Sequence, residues 1–283
     1  MKKTLLTFAL ALASVWPGKA QDCLPTAQDY ERFMETKTLV VMDANTMSDF
    51  NFKIKEVMKR VWNLTKYDFI TEKEFDVKKN DPSYSFLLTT TVTFDADKTK
   101  ARYIYLSLLM GKEKTKVKDL PDLISIPLAY ASVEDQKYAY KMDAFVRFIQ
   151  EHVNLMRSNP KLISKNPLLY YNKNMQSLSN KTLWLIKEDL QSSMRTEAAV
   201  KKVYPYRFRF ATEEEVSEAI ERRDPDVAFL HKVGPEVSRY KTRCYKIIVG
   251  AADTEFFYFD YHTIDKSTPD KLLERDLKKM GKR

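Results

Sequence analysis

The chain contains itself twice, and this duplication constrains its fold more than any other feature. Lys37-Thr38-Leu39-Val40-Val41 opens one copy, and Lys181-Thr182-Leu183-Trp184-Leu185 opens the other. Val57-Met58-Lys59-Arg60-Val61-Trp62 is answered by Val200-Lys201-Lys202-Val203-Tyr204, and Thr71-Glu72-Lys73-Glu74 by Thr212-Glu213-Glu214-Glu215. Asp81-Pro82 and Phe86-Leu87 are answered by Asp224-Pro225 and Phe229-Leu230. Matches in one order at a nearly constant offset mark a repeated structural unit.

Each copy reads as strand, helix, strand, helix, then two or three strands and a closing helix. In the first copy a strand at 38–42 precedes a helix capped by Ser48, with Phe50, Ile54, Val57, Met58 and Val61 at helical spacing. After a short strand at 67–70, Thr71-x-x-Glu74 has the form of a capping box; Thr212-x-x-Glu215 repeats it after a strand at 206–210. The prolines at 82 and 225 end the second helices. Runs rich in β-branched and aromatic residues follow at 83–94, 101–109 and 123–132, and again at 227–233, 240–249 and 255–263. Closing helices are expected at 132–156, capped by Ser132 with Asp135 behind it, and at 271–280 after Thr268-Pro269. The fold class is α/β to α+β: a tandem β-α-β-α-β-β(-β)-α module, its mixed sheet covered by helices on at least one face. The segments are a strap at 21–36, module A at 37–157, a linker at 158–180 and module B at 181–283. In the linker, Leu168-Leu169-Tyr170-Tyr171 is expected to dock on a module.

Residues 1–20 read as a secretory signal peptide. Lys2 and Lys3 precede an apolar run from Leu5 to Val15, and Pro17-Gly18-Lys19-Ala20 places small residues before a cut after Ala20. The alternative, a lipid anchor on Cys23, lacks the small residue that should precede the cysteine. No later run reaches the ~18 apolar residues of a membrane span. The mature chain is thus expected to be exported, to the periplasm or the cell exterior, without a transmembrane segment. Losing Lys2, Lys3 and Lys19 and no acid lowers the formal charge from +9 to +6. That surplus favours solubility and anionic surfaces, while export argues against nucleic acid as a partner. Cys23 and Cys244 enter a compartment that permits disulfides. They form one disulfide, or Cys244 is a buried free thiol.

Little chemistry is advertised. Five glycines in the whole chain leave no dinucleotide fingerprint or P-loop, and two distant cysteines with three histidines leave no zinc cluster. No cofactor, metal or catalytic residue is expected. His152 falls among apolar residues at helical spacing and reads as structural. His231 stands at a strand end where the other copy has Leu88, and is a candidate binding residue. Glu213, Glu214 and Glu215 suit the first turn of a helix, where the dipole favours acids. Lys112, Lys114, Lys116 and Lys118 alternate, so an extended hairpin would present them on one side to an anionic glycan, a surface or an acidic protein; the alternative is protection of a sheet edge. Tyrosine is abundant, and Tyr103, Tyr105, Tyr130, Tyr138, Tyr140, Tyr170, Tyr171, Tyr258 and Tyr261 exceed what two small cores need. Tyr170 and Tyr171, near the junction of the modules, are candidate binding residues.

The Ala-Gln signal-peptide end and the Lys-rich, Tyr-rich, Gly-poor mature chain resemble exported proteins of Bacteroidota. The module's order, with its Thr38-Leu39-Val40-Val41 strand, Thr71-Glu72-Lys73-Glu74-Phe75 helix start and Phe86-Leu87 strand, resembles periplasmic α/β modules such as those of the curli-secretion channel subunit and the N-terminal domain of TolB. The resemblance implies a module that positions proteins in the envelope and catalyses nothing. The expected function is a non-enzymatic, two-module binding or assembly scaffold, with an envelope protein or an anionic glycan or surface as partner. Two alternatives stand: a hydrolase-like site in module B using Asp260 and Asp265 with His231 or His262, and a self-assembling structural or adhesive protein.

Overall fold

The computed structural model describes residues 24–94, 97, 99–236 and 239–282. The signal peptide and Cys23 lie outside the described residues, as do Asp95, Ala96 and Lys98 of the turn after the third strand. A first helix, α1 (Ala27–Phe33), is closed at its start by a Thr26/Asp29 capping box and buries Tyr30 and Phe33. Module A follows as β1 (Lys37–Val41), α2 (Asp49–Val61), β2 (Lys66–Ile70), α3 (Glu72–Lys78), β3 (Tyr84–Val92), β4 (Tyr103–Met110), β5 (Asp122–Tyr130), α4 (Gln136–Ala139) and α5 (Met142–Ser158). After α6 (Pro167–Tyr170) and a ten-residue 3-10 stretch, Tyr171–Asn180, module B runs β6 (Thr182–Leu185), α7 (Glu197–Val203), β7 (Phe208–Phe210), α8 (Glu213–Arg222), β8 (Val227–Val233), β9 (Arg243–Gly250), β10 (Phe256–Thr263) and α9 (Glu274–Met280).

The duplication is visible in the topology. One sheet has the order β2-β1-β3-β4-β5, and the other, read from the equivalent edge, β7-β6-β8-β9-β10. In each, the first strand runs parallel to its two neighbours, and two antiparallel strands complete the sheet. The chain is a tandem α/β duplication with mixed sheets. Both capping boxes form: Thr71 and Thr212 each accept from the backbone N–H three residues on, and Glu74 and Glu215 reach back to the caps. Ser48 caps α2 through the Asn51 N–H.

The largest core joins the modules. Val40 and Leu87 of the first sheet, Phe229 and Ile247 of the second, and helices α2, α5 and α8 contribute to one apolar cluster. Helix α5 is its axis. It buries Phe145, Phe148, Ile149, Val153 and Met156, and also Asp143 and Gln150 on what reads as its polar side. Those polar groups are satisfied: Asp143 accepts from Arg60 and Arg147, and Gln150 bridges the Val61 carbonyl and the Asn63 N–H. The outer face of the first sheet packs Leu39, Phe86 and Leu88 against Phe75 of α3. The outer face of the second packs Leu183, Leu185 and Leu230 against Val200 of α7 and Leu277 of α9.

Three expectations need correction. The closing helix of module A does not begin at Ser132: a turn, the four-residue α4 and then α5 replace it, because Asp135 accepts from the Phe50 N–H at 3.0 Å and so serves the start of α2. The closing helix of module B begins at Glu274, since Leu272 spends its N–H on the Asp189 carbonyl and its carbonyl on the Gln191 N–H. Nor is the lysine-rich segment an extended hairpin. Lys114 has φ of 50°, Val117–Asp119 is a 3-10 turn, and the alternation of Lys112, Lys114, Lys116 and Lys118 therefore does not align them, although all four are exposed.

Candidate binding site

The strand registers show where the two copies differ. Phe86 of β3 pairs with Leu109 of β4, and Phe229 of β8 with Val249 of β9. Counting back along β4 and β9 equates Tyr105 with Tyr245, and Tyr103 with Arg243. Across the next rung, Leu109 pairs with Asp122 and Val249 with Phe256, so Asp122 stands where module B has an aromatic ring. In one equivalent pair module B carries the charge, and in the other module A does.

The β4 and β9 positions meet. Tyr105 and Tyr245 pack edge to face with ring centroids 6.2 Å apart, and Tyr103 packs on Tyr245 at 5.4 Å. The Tyr103 hydroxyl accepts from the Arg243 N–H at 2.6 Å and donates to the Arg243 carbonyl at 3.2 Å, pinning the edge of one module to the other. Beside this junction lies a cavity of about 410 Å³, walled by β4 and β5 of module A and β9 and β10 of module B. Residues 163–169 of the connecting segment cover it, and Leu24 and Pro25 close one side. The large apolar residues Leu24, Leu169 and Tyr261, all lining it, are exposed.

Three charged residues line it: Arg243, Asp122 and, on the covering segment, Lys165. Arg243 is half-buried, its guanidinium carbon 3.6 Å from the centre of the Phe94 ring and 5.0 Å from that of Tyr261. Its Nη1 donates to the Tyr245 hydroxyl at 3.4 Å, and among the described residues no carboxylate pairs with it. Asp122 accepts from the Ser125 hydroxyl at 2.6 Å through Oδ2, while Oδ1 is sealed from water without a partner. Burial raises this carboxyl to about 6, against the opposing pull of Ser125. Ser125 in turn shares a hydrogen bond with Ser107 at 2.7 Å, and Ser107 one with Thr90 at 2.9 Å, a ladder of hydroxyls across β5, β4 and β3.

Below the cavity floor, the Leu123 carbonyl accepts from Tyr30 at 2.6 Å and from His152 Nε2 at 3.2 Å. That bond places the ring proton on Nε2, so Nδ1 accepts from the Tyr171 hydroxyl at 2.8 Å. Burial holds His152 down to about 4. Tyr171 is thus a buried structural residue packed on Phe148; Tyr170 is half-buried beside it, under Lys173. His231 is likewise interior. Its Nε2 donates to the Pro127 carbonyl at 3.1 Å, across the module junction, and its Nδ1 faces Lys141 Nζ at 3.4 Å. Burial, reinforced by the Lys141 charge, drives the imidazole well below its ordinary value, and burial brings Lys141 down to about 8.

Of the residues singled out from sequence, Tyr105 and Tyr261 line the cavity, while Lys112, Lys114, Lys116, Lys118, Tyr170, Tyr171 and His231 do not. The carboxylate/histidine set does not converge there either. Asp260 meets Tyr258 and Lys279, Asp265 holds the turn at Ser267 and Thr268, and His262 meets the Pro269 carbonyl. Cys244 is a fully buried thiol, raised by burial, with its sulfur 3.8 Å from the Lys271 carbonyl; the pairing with Cys23 concerns a residue outside those described. Sequence reading missed Asp122, Arg243 and Tyr245. The available signal was the comparison of the two copies, in which an aromatic residue answers each charge.

Among the described residues, no group of His, Cys, Asp and Glu side chains is placed to hold a metal ion, and no helix is long and apolar enough to cross a membrane. No family model, no curated protein and no solved structure matches the chain.

Proposed function

We propose that this chain is an exported, non-enzymatic binding protein of the cell envelope whose two modules close over one shared ligand cavity. The observation that carries the reading is the cavity's construction. Equivalent strands of both copies wall it, the connecting segment roofs it, and Arg243 and Asp122 stand where the copies have diverged. Its volume is in the range of small-molecule sites, which are mostly apolar with a few placed polar groups. Support for export comes from the basic start, apolar run and small residues of the first twenty positions. The exposed lysines at 112, 114, 116 and 118 offer a separate electrostatic contact for an envelope protein or an anionic surface.

Native mass spectrometry of the chain purified from its own envelope tests the reading. Ser164 is exposed on the covering segment and lines the cavity, so Ser164→Trp fills the mouth without touching the core. A small-molecule adduct on the wild type that disappears in Ser164→Trp is the expected result. Equal occupancy in both proteins, or an empty wild type, overturns the cavity as the binding site.

A further inference from the structure

We infer that the ligand of this cavity is a monocarboxylate with an apolar body, its acid group held by Arg243 and its body lying along β5 towards Leu168. The inference rests on the cavity being a binding site and names what it binds.

The acid group follows from Arg243. Among the described residues, only a phenol oxygen at 3.4 Å accepts from this half-buried guanidinium, and a charge removed from water demands compensation. Stacking on Phe94 fixes the plane of the fork. A planar fork held in place matches a carboxylate through two parallel hydrogen bonds, which a flexible ammonium does not.

The apolar body follows from the walls. Between the ends, the cavity runs past Leu123, Ile124, Met156 and Leu168, with Leu24 and Leu169 exposed at its rim. Exposed leucines beside a cavity of this size give an apolar chain a continuous path inwards.

The limit to one charge follows from Asp122. Its partner on β4 is Leu109, six residues from Tyr103, whose hydroxyl meets Arg243. That places the two ends ~20 Å apart along the strand. An acid group at the far end would face a carboxyl that already has one unpartnered oxygen. From Arg243 to Asp122 the cavity is therefore polarised, receptive to an anion at one end and hostile to a second at the other, while Lys165 adds a cation on the covering segment.

Calorimetric titration with dodecanoate, dodecan-1-ol, dodecylammonium and dodecanedioate, each below its self-association concentration, tests this. Dodecanoate is expected to bind at least roughly tenfold tighter than the alcohol, the scale of a hydrogen bond to a charged group. Arg243→Met should abolish that preference and Arg243→Lys should restore part of it. The dicarboxylate should bind more weakly than dodecanoate, and Asp122→Asn should relieve that discrimination. Ser164→Trp should block every probe. If alcohol and acid bind equally and Arg243→Met changes nothing, the cavity binds but the inference fails; tighter binding of the ammonium ion overturns it too. Binding of an apolar peptide through its C-terminal carboxylate, with no binding of dodecanoate, replaces the small amphiphile with a protein partner. No binding of any probe or peptide defeats the inference and counts against the cavity reading together.

Discussion

The ring of Phe148, on the closing helix of module A, lies flat against that of Phe256, on the last strand of module B, with centroids 3.6 Å apart and planes 9° apart. Both rings are almost fully buried. Removing either leaves a void at the centre of the shared core, so Phe148→Ala and Phe256→Ala should each cost ~3–5 kcal/mol. Because one core serves both modules, chemical denaturation should give a single transition in the wild type and in both variants. Two separated transitions would mean that the modules are stable independently.

Asp122 makes the pH dependence distinctive. Its carboxyl sits at about 6 in the folded chain against an ordinary 3.8, so the folded state holds the proton more tightly. Its contribution is therefore unfavourable above 6 and is relieved as pH falls from 6 towards 4. At ~1.4 kcal/mol per pH unit the penalty at pH 8 is at most ~3 kcal/mol. Asp122→Asn should raise stability at pH 8 by part of that amount and lose the advantage by pH 4. His152, held down to about 4 from 6.5, acts with the opposite sign: its unfolded form takes a proton first, and stability falls as pH drops through that interval. Only the difference between wild type and Asp122→Asn across a pH series isolates the aspartate, and a difference constant from pH 4 to 8 would contradict its assignment.

Lys246 places its ammonium 3.0 Å from each oxygen of Asp276, and both side chains are buried. Asp276 also accepts from the Tyr258 hydroxyl and from the Leu273 N–H at the start of α9. Asp276→Ala strands the lysine and should cost ~3–5 kcal/mol. The double variant Lys246→Met/Asp276→Leu should recover most of that loss. Urea titration of the three proteins checks the order, and a double variant no better than Asp276→Ala would assign the cost to the lost cap of α9.

The repeated capping boxes offer a comparison within one molecule. Thr71→Ala and Thr212→Ala should each cost ~1 kcal/mol. They lie in different modules, on separate helices, so the double variant should lose the sum. Thermal or urea unfolding measures it.

Much of what depends on neighbouring residues was legible in the sequence, though not the lysine segment, whose alternation is broken by the positive φ of Lys114 and the 3-10 turn Val117–Asp119. The capping boxes, the proline stops and the β-rich runs each depend on a few neighbouring residues, and the copies reinforced one another. What else escaped depends on distant packing. Helix α5 buries Asp143 and Gln150 on a second face, and their burial depends on Arg147 of the same helix and on distant partners on α2 and its following loop. Ser132 looked like a cap because nothing nearby shows that Asp135 is engaged by Phe50, some eighty residues earlier. The cavity was invisible for the same reason. In the sequence Asp122 falls just before the run at 123–132 and Arg243 inside the run at 240–249, and no local pattern joins positions brought together by the junction of two sheets.

The central place of α5 also sets an order in time. The helix is complete at Ser158, but one of the surfaces that covers it ends with Phe256, roughly a hundred residues later in the chain. At ~5–20 residues per second, synthesis takes ~5–20 s to supply those residues. During that interval the first half presents a bare apolar helix face, and its sheet cannot finish its own interior. A nascent chain of this design is vulnerable through its completed half, and the last strands to be made are what end the exposure.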